Sequence, residues 1–238
     1  MSGHSKWATI KRAKGAADLK RGLTFTKISN AITIAVKKSG GITDINSNFK
    51  LRLAVEAARA ANMPKDNIER AIQRAVGKDA GAVDEIMYEG FAPEGISVII
   101  EAATDNSLRT TSEIKSIFNK EGGSFGKIGS VAYLFSQIGE IVLKKEGKTL
   151  DQAFEIAADS KAEDVVETQV GFAVYTAPAD LGRISGILKE KGFSITSASL
   201  IRKPLTPMPV DDPKKREKVI NFLQKLEDLD DVQKVYSN

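Results

Sequence analysis

Residues 203–238 read KPLTPMPVDDPKKREKVINFLQKLEDLDDVQKVYSN, and where this segment packs decides the architecture of the rest of the chain. Pro204, Pro207 and Pro209 mark a linker, because proline lacks a backbone donor and pushes the residue before it towards extended conformations. Beyond the linker the spacing predicts a helix over 213–227 and a strand over 232–236. Neither has a partner nearby in sequence, and a helix or strand must bury its apolar face against something. Upstream, residues 84–89 and 95–103 read as strands joined by the turn Gly90-Phe91-Ala92-Pro93-Glu94. A helix follows, capped within Thr104-Asp105-Asn106, with Ile114, Ile117 and Phe118 inward and Gly122-Gly123 at its end. Residues 130–135 are expected to form a strand. This β-β-α-β unit lacks one helix and one strand to make a two-layer sandwich. The economical solution is that residues 206–238 return to complete it.

The intervening chain has a cycle of its own. Strands are expected at 141–143, 164–168, 171–176 and 194–201, with helices over 149–158 and 178–191. The order β-α-β-β-α-β is that of the ferredoxin-like sandwich. It would be an insertion within the first sandwich.

Residues 1–78 differ in kind. Phe25, Ile28, Ile32, Ala35 and Val36 fall at helical spacing, with Thr24 placed to cap the helix and Gly40-Gly41 to end it. Residues 15–23, bounded by Gly15 and Gly22, fit a short helix or an ordered loop equally well. A second helix is predicted from about Asn48 to Ala61, and a third from Pro64, with Ile68, Ala71, Ile72, Ala75 and Val76 inward. Arg70 and Arg74 share the outer face of the third helix and read as an ordinary solvated surface. The expected class is therefore α+β. An N-terminal three-helix basic domain (1–78) precedes a discontinuous α/β domain (82–135 plus 206–238), into which a ferredoxin-like domain (138–204) is inserted.

Charge is divided unevenly along the chain. Residues 1–78 hold 16 Lys and Arg against 5 Asp and Glu, a net of +11, whereas residues 79–238 hold 19 against 26, a net of −7. A basic front joined to an acidic remainder points to a polyanionic partner for the front. The cations concentrate first in Ser2-Gly-His-Ser-Lys-Trp-Ala-Thr-Ile-Lys-Arg-Ala-Lys14, where Lys6, Lys11, Arg12 and Lys14 surround Trp7, the single tryptophan, and no acid occurs before Asp18. Cations with one flat aromatic suit nucleic acid, which offers phosphates and stackable bases. A solvated basic segment whose Trp7 docks on the following helices fits as well. Lys20, Arg21 and Lys27 could extend the basic surface. An anionic membrane is a poorer match, since the segment lacks a clean apolar face. No window approaches the roughly 18 consecutive apolar residues of a membrane span. The N-terminus has no apolar core of a secretory signal, and the informative stretch starts at residue 2, which disfavours a transit leader.

Several chemistries find no residues to carry them. There is no cysteine and one histidine, so neither thiolate metal sites, histidine metal clusters nor a Ser-His-Asp triad is expected. Gly122-Gly-Ser-Phe-Gly-Lys-Ile-Gly-Ser130 fails the phosphate-loop pattern, because Ile128 follows Lys127 where a hydroxyl is required and the loop would precede a strand. Gly171-Phe172-Ala173 matches only the centre of an RNA-recognition signature, with Val170 in place of its leading cation. No carboxylate pair stands in a catalytic context. Thr104-Asp105-Asn106 with Arg109 reads as a helix cap, and Arg109 is a second candidate for contact with an anion at that helix N-terminus. No enzyme activity, cofactor or metal is expected.

Several stretches together resemble the YebC (PmpR) family, which includes the mitochondrial translational activator of cytochrome oxidase. They are Gly3-His-Ser-Lys-Trp7, Ile10-Lys11, Asp18, Phe25-Thr-Lys27, the run Ala57–Ile72, Tyr88-Glu-Gly90 with Pro93, Thr104-Asp-Asn106 with Arg109-Thr110, and Gly122-Gly123 with Gly129-Ser-Val131. The likeness is dense over about the first 135 residues and one of pattern beyond 140. It implies three domains, the first helical and the others α/β, in a cytoplasmic protein of a bacterium or an organelle matrix. Members are described as DNA-binding transcriptional regulators, and others act on translation at the ribosome. The family often has further basic or aromatic residues where this chain has Ala13, Phe91, Ser107 and Leu108. Ser107 in particular removes a cation from the Thr104–Thr110 segment.

The expectation is a non-enzymatic nucleic-acid-binding regulator of gene expression. Lys6, Lys11, Arg12, Lys14, Lys20, Arg21 and Lys27 would contact phosphates, and Trp7 would stack or anchor. The partner would be DNA, or ribosomal or transfer RNA, with the ribosome or another protein meeting the acidic α/β domains. A translation activator bound to RNA is one alternative; a ligand-sensing or protein-interaction module built on the ferredoxin-like unit is another.

Overall fold

Residues 6–77, 83–168 and 171–238 are described in the computed structural model, residues 6–21 by their backbone alone. The helical unit contains α1 (Lys6–Lys38), α2 (Phe49–Ala60) and α3 (Lys65–Val76). Helix α1 runs unbroken through Gly15 and Gly22, so there is no separate element over 15–23 and Thr24 starts no helix. A glycine inside a helix costs only about 1 kcal/mol against alanine, too little to interrupt so long a helix. With 33 residues α1 is roughly 50 Å long, against about 18 Å for the 12-residue α2 and α3. The bundle core begins at the half-buried Phe25 and centres on Ile32, Val36, Leu51, Val55 and Ile68. Asn48 fastens the α1–α2 turn: its side-chain oxygen accepts from the Leu51 amide (3.0 Å) while its amide donates to the carbonyls of Ala35 (3.1 Å) and Ile42 (2.9 Å).

The hairpin β1 (Asp84–Phe91) and β2 (Ser97–Thr104) leads into α4 (Ser107–Glu121) and the two-residue β3 (Ser124–Phe125). The chain then builds β4 (Phe135–Lys144), α5 (Leu150–Asp159), β5 (Asp164–Thr168), β6 (Gly171–Thr176), α6 (Leu181–Glu190) and β7 (Ile195–Pro204), and ends with α7 (Pro213–Glu227) and β8 (Val232–Ser237). N-terminal helices followed by two antiparallel sheets give the α+β class that the sequence predicts. One sheet has the order β3-β1-β2-β8, with Tyr236 opposite Ile99, so the C-terminal strand pairs with a strand more than a hundred residues upstream. The other has the order β5-β6-β4-β7, the arrangement a β-α-β-β-α-β chain takes in a ferredoxin-like sandwich.

Helices α4 and α7 cover the first sheet. The rings of Phe118 and Phe222 meet edge to face there, with centroids 5.0 Å apart. Gly123 makes this approach possible, since a Cβ would lie 2.8 Å from both the Phe222 ring and the Phe91 carbonyl. Helices α5 and α6 cover the second sheet around Phe172, Leu181, Ile184 and Leu188. Phe49 and Leu53 of α2 pack onto that core, and a Cβ on Gly182 would stand 3.0 Å from the Phe49 ring. The helical unit thereby touches the second sandwich directly.

Residues 130–135 are not the expected strand. The amides of Gly129, Val131 and Ala132 donate to the carboxylate of Glu89, which is 1 % exposed, instead of to a neighbouring strand. A short 3-10 turn spans Ala132–Leu134, and Phe135 already belongs to β4, opposite Pro204. The second sheet consequently starts earlier, and its last strand ends later, than the sequence pattern suggests.

Candidate nucleic-acid interface

Helix α1 carries seven candidate phosphate contacts, Lys6, Lys11, Arg12, Lys14, Lys20, Arg21 and Lys27, together with Trp7. The side chains of Lys6, Trp7, Lys11, Arg12, Lys14, Lys20 and Arg21 lie outside the described residues. What the structure supplies for them is one continuous helical backbone.

Lys27 is occupied. Its ammonium donates to the carbonyl of Glu227 at the C-terminus of α7, where exposed carbonyls favour a cation. Burial pushes this ammonium's pKa below its usual value, and nearby Glu227, Asp228 and Asp230 offset that only in part. Lys37 donates to Asp84 (2.8 Å) and to the Val83 carbonyl (3.1 Å), and Lys38 pairs with Glu85. These three lysines join the helical unit to the first sandwich.

Arg109 is also engaged. Its guanidinium donates to Asp231 (2.8 Å) and Asp105 (2.9 Å), and the Asp231 hydrogen bond, followed by the Asp105 one, holds its pKa above the usual value. Asp231 in addition accepts from the hydroxyls of Thr110 (2.6 Å) and Thr104 (3.1 Å). Burial pushes the Asp231 carboxyl up, but the bonds from Thr110, Arg109 and Thr104 outweigh it and leave the pKa below the ordinary carboxylate value. The Thr104–Thr110 segment therefore caps α4, through Asn106 to the Arg109 amide (3.1 Å), and fastens the start of β8. Its cation is neutralised within the fold.

Arg70 and Arg74 stand differently. One turn apart on α3, they flank a groove of about 340 Å³ between α3 and α1. The Arg70 Nε donates to the Asp66 carbonyl (3.2 Å) and its Nη2 to the Asn67 side chain; Arg74 reaches across to Asn30 Oδ1 (3.2 Å) and Thr33 Oγ1 (3.3 Å) of α1. Both are oriented by neutral oxygens, and neither forms an ion pair among the described residues. Phe25, Met63 and Ala71 line the groove with polar Thr26, Ser29, Asn30 and Asn67, and no acid does. On the far side of Arg74 the balance of charge reverses, in a cleft of about 690 Å³ lined by Arg74 and Arg109 but also by Asp105, Glu113, Asp228, Asp230 and Asp231. The i, i+4 spacing of the two arginines is visible in sequence, but the wall that α1 places beside them is not.

Among the described residues no group of three or more His, Asp or Glu is placed to hold a metal ion, and no helix is long and apolar enough to cross a membrane. Residues 5–78 match the family described as "TACO1/YebC protein N-terminal domain", and residues 83–238 match "TACO1/YebC second and third domain". The chain belongs to the TACO1/YebC family. Among the family's curated members, it is similar to a "probable transcriptional regulatory protein" of Dictyoglomus turgidum, 46 % identical over all of this chain and 95 % of the relative. One from Desulforapulum autotrophicum is 44 % identical over all of this chain and 96 % of that one. The crystal structure of a conserved hypothetical protein from Aquifex aeolicus superposes with a TM-score of 0.86 at 38 % identity, covering 92 % of this chain and 90 % of the other.

Proposed function

We propose that this TACO1/YebC-family chain is a non-enzymatic regulator of gene expression that acts by binding nucleic acid through its helical unit. The observation that carries the reading is the net +11 of residues 1–78, with Lys6, Lys11, Arg12, Lys14, Lys20 and Arg21 on one unbroken helix beside Trp7. Phosphates would meet these cations and Trp7 would stack on a base. Lys27 and Arg109 are left out of the contact set, because both are already tied within the fold. The names of the relatives support a regulatory role. The more acidic α/β units, separated as 82–135 with 206–238 and 138–204, would face a protein partner or the ribosome, and the site of action would be the cytoplasm or an organelle matrix.

DNA and RNA share the phosphate chemistry, and one experiment separates them. Ultraviolet crosslinking in cells, followed by sequencing of the attached DNA and RNA, should enrich a defined set of sites. Enrichment at promoter DNA makes the protein a transcriptional regulator; enrichment at ribosomal or transfer RNA makes it a translation factor. Recovery of neither refutes the reading.

A further inference from the structure

We infer that the α1–α3 groove seats a single unpaired nucleotide, with flanking phosphates on Arg70 and Arg74 and its base or sugar over Phe25 and Met63. The inference rests on the nucleic-acid reading above and adds a second contact to it, away from residues 6–21.

Four features of the groove lead there. Its two guanidinium groups have no carboxylate partner among the described residues, whereas Arg109, Lys37 and Lys38 all have acidic partners. Both are held in position by neutral acceptors, Asn67 and the Asp66 carbonyl for Arg70, Asn30 and Thr33 for Arg74. An arginine fork fixed in this way loses less freedom on meeting a phosphate, and presents planar donors matched to it. The floor is apolar: Met63 and Ala71 are buried and Phe25 is half-buried, a surface that a solvated arginine pair does not need but that a base can cover. Finally, the neighbouring cleft, which Arg74 and Arg109 line together with Asp105, Glu113, Asp228, Asp230 and Asp231, is acidic on balance and disfavours phosphate, so a strand in the groove is steered along α1 towards its basic N-terminal half. The aromatic floor and this continuity favour a nucleotide over an acidic peptide.

The test uses the full chain and fluorescence anisotropy with two labelled probes, an RNA hairpin with a single-stranded loop and a fully paired DNA duplex. Changing Arg70 and Arg74 together to Ala should weaken hairpin binding about 10- to 100-fold at 0.1 M salt. It should also make the slope of log affinity against log salt shallower by about 1.4, the value for two single-strand phosphate contacts. Should that variant fold poorly by circular dichroism, Arg70→Gln with Arg74→Gln keeps a donor at each position and is expected to show the same loss. Phe25→Leu preserves volume without the ring, and should weaken the hairpin at least 3-fold while leaving the duplex unchanged. Photocrosslinking from 4-thiouridine in the loop should label the peptides holding Phe25 or Met63. The inference is overturned if the arginine variants retain wild-type affinity and slope while Lys11, Arg12 and Lys14 changed together to Ala abolish binding; the proposed function then stands without this groove. It is overturned equally if crosslinks map only outside the groove, or if a polyglutamate peptide displaces the hairpin from it. Failure of the unaltered protein to bind either probe removes both readings.

Discussion

Replacing Glu89 with glutamine removes one negative charge and changes almost nothing in shape, so it isolates what holds the Gly126–Ala132 loop. One carboxylate oxygen accepts from Gly129 (2.7 Å) and the other from Val131 (2.7 Å) and Ala132 (2.8 Å). A glutamine has one accepting oxygen. Its best orientation keeps the Val131 and Ala132 bonds in neutral form and turns an NH2 towards the Gly129 amide. One charge-assisted bond worth about 1.5–3 kcal/mol is lost, and two others weaken by roughly half a kcal/mol each, for a total near 3 kcal/mol. The melting transition of the first sandwich should fall by about 12–24 °C. If local opening governs exchange, the three amides should exchange about a hundredfold faster in the variant.

The pH dependence provides an independent check. Burial pushes the Glu89 carboxyl up, but the three backbone amides, helped by the Arg202 cation, outweigh it and leave its pKa below the ordinary value. A carboxylate with a depressed folded pKa stabilises fully above its unfolded pKa, about 4.3, and that contribution disappears as pH falls through the folded value. The gap between the protein and Glu89→Gln should therefore be constant above about pH 5 and close in acid. Urea unfolding at a series of pH values, with amide exchange read at Gly129, Val131 and Ala132, measures both effects. Stability within about 0.5 kcal/mol of the parent, with exchange unchanged, would refute the reasoning.

Asp231→Ala should destabilise by about 3 kcal/mol, because the buried Thr104 and Thr110 hydroxyls and one arm of Arg109 lose their acceptor; limited proteolysis should then cut first within β8, and an unchanged cleavage pattern would count against this role. Gly22→Ala should raise the melting temperature through a gain of about 0.5–1 kcal/mol, since Gly22 is helical and an added Cβ meets nothing within 4 Å; a lower melting temperature would show that residue 22 is not helical in solution. Lys27→Ala should change affinity for an RNA hairpin less than about threefold, as its ammonium already caps α7, whereas changing Lys11, Arg12 and Lys14 together to Ala should abolish binding; equal effects in an anisotropy titration would place Lys27 among the phosphate contacts.

Much of the fold could be argued from local signals. A helix and a strand left over after a proline-rich linker require a sheet to complete, and β8 does pair with β2. Asn48, Asn106 and Thr149 stand where helix caps belong, and each accepts a backbone amide of its first turn. The misreadings share a different origin. Glu89 is one acid between Tyr88 and Gly90 in a strand, and nothing local shows that its carboxylate takes the amides of residues forty positions on. Residues 130–135 read as a strand because Val131, Leu134 and Phe135 are apolar, yet Val131 is buried on the back of the first sheet without a ladder and only Phe135 joins one, at the start of β4. Gly15 and Gly22 suggested breaks because local propensity is a weak prior against an extended helix. Arg70 and Arg74 are exposed, as the pattern predicts, but the groove beside them is not legible locally because it is made by α1, more than thirty residues earlier.

The same distance problem governs the charge. A count of +11 treats every cation of the front end as available to a polyanion, but folding assigns them to two sets. Lys27, Lys37 and Lys38 are consumed as ties to α7 and β1, which lets the first sandwich hold α1 at three points along its C-terminal half. The Asn30 amide adds a contact to the Ala103 carbonyl (3.5 Å), and Phe49 against Gly182 fixes the bundle to the second sandwich as well. Exposed ion pairs of this kind contribute little stability one by one. Distributed along one helix, however, they set the direction in which its basic N-terminal half leaves the body. Asp84 and Glu85 of β1 and the Glu227 carbonyl of α7 thus engage three cations that a count of charge alone would leave to a partner. On the proposed reading, nucleic-acid contacts then fall to the cations of residues 6–21, whose side chains lie outside the described residues, and to Arg70 and Arg74 of α3, which form no ion pair among the described residues. A change that breaks one tie, such as Lys27→Ala, should accordingly move affinity by less than about threefold with the salt slope preserved, whereas loss of a true phosphate contact lowers both together.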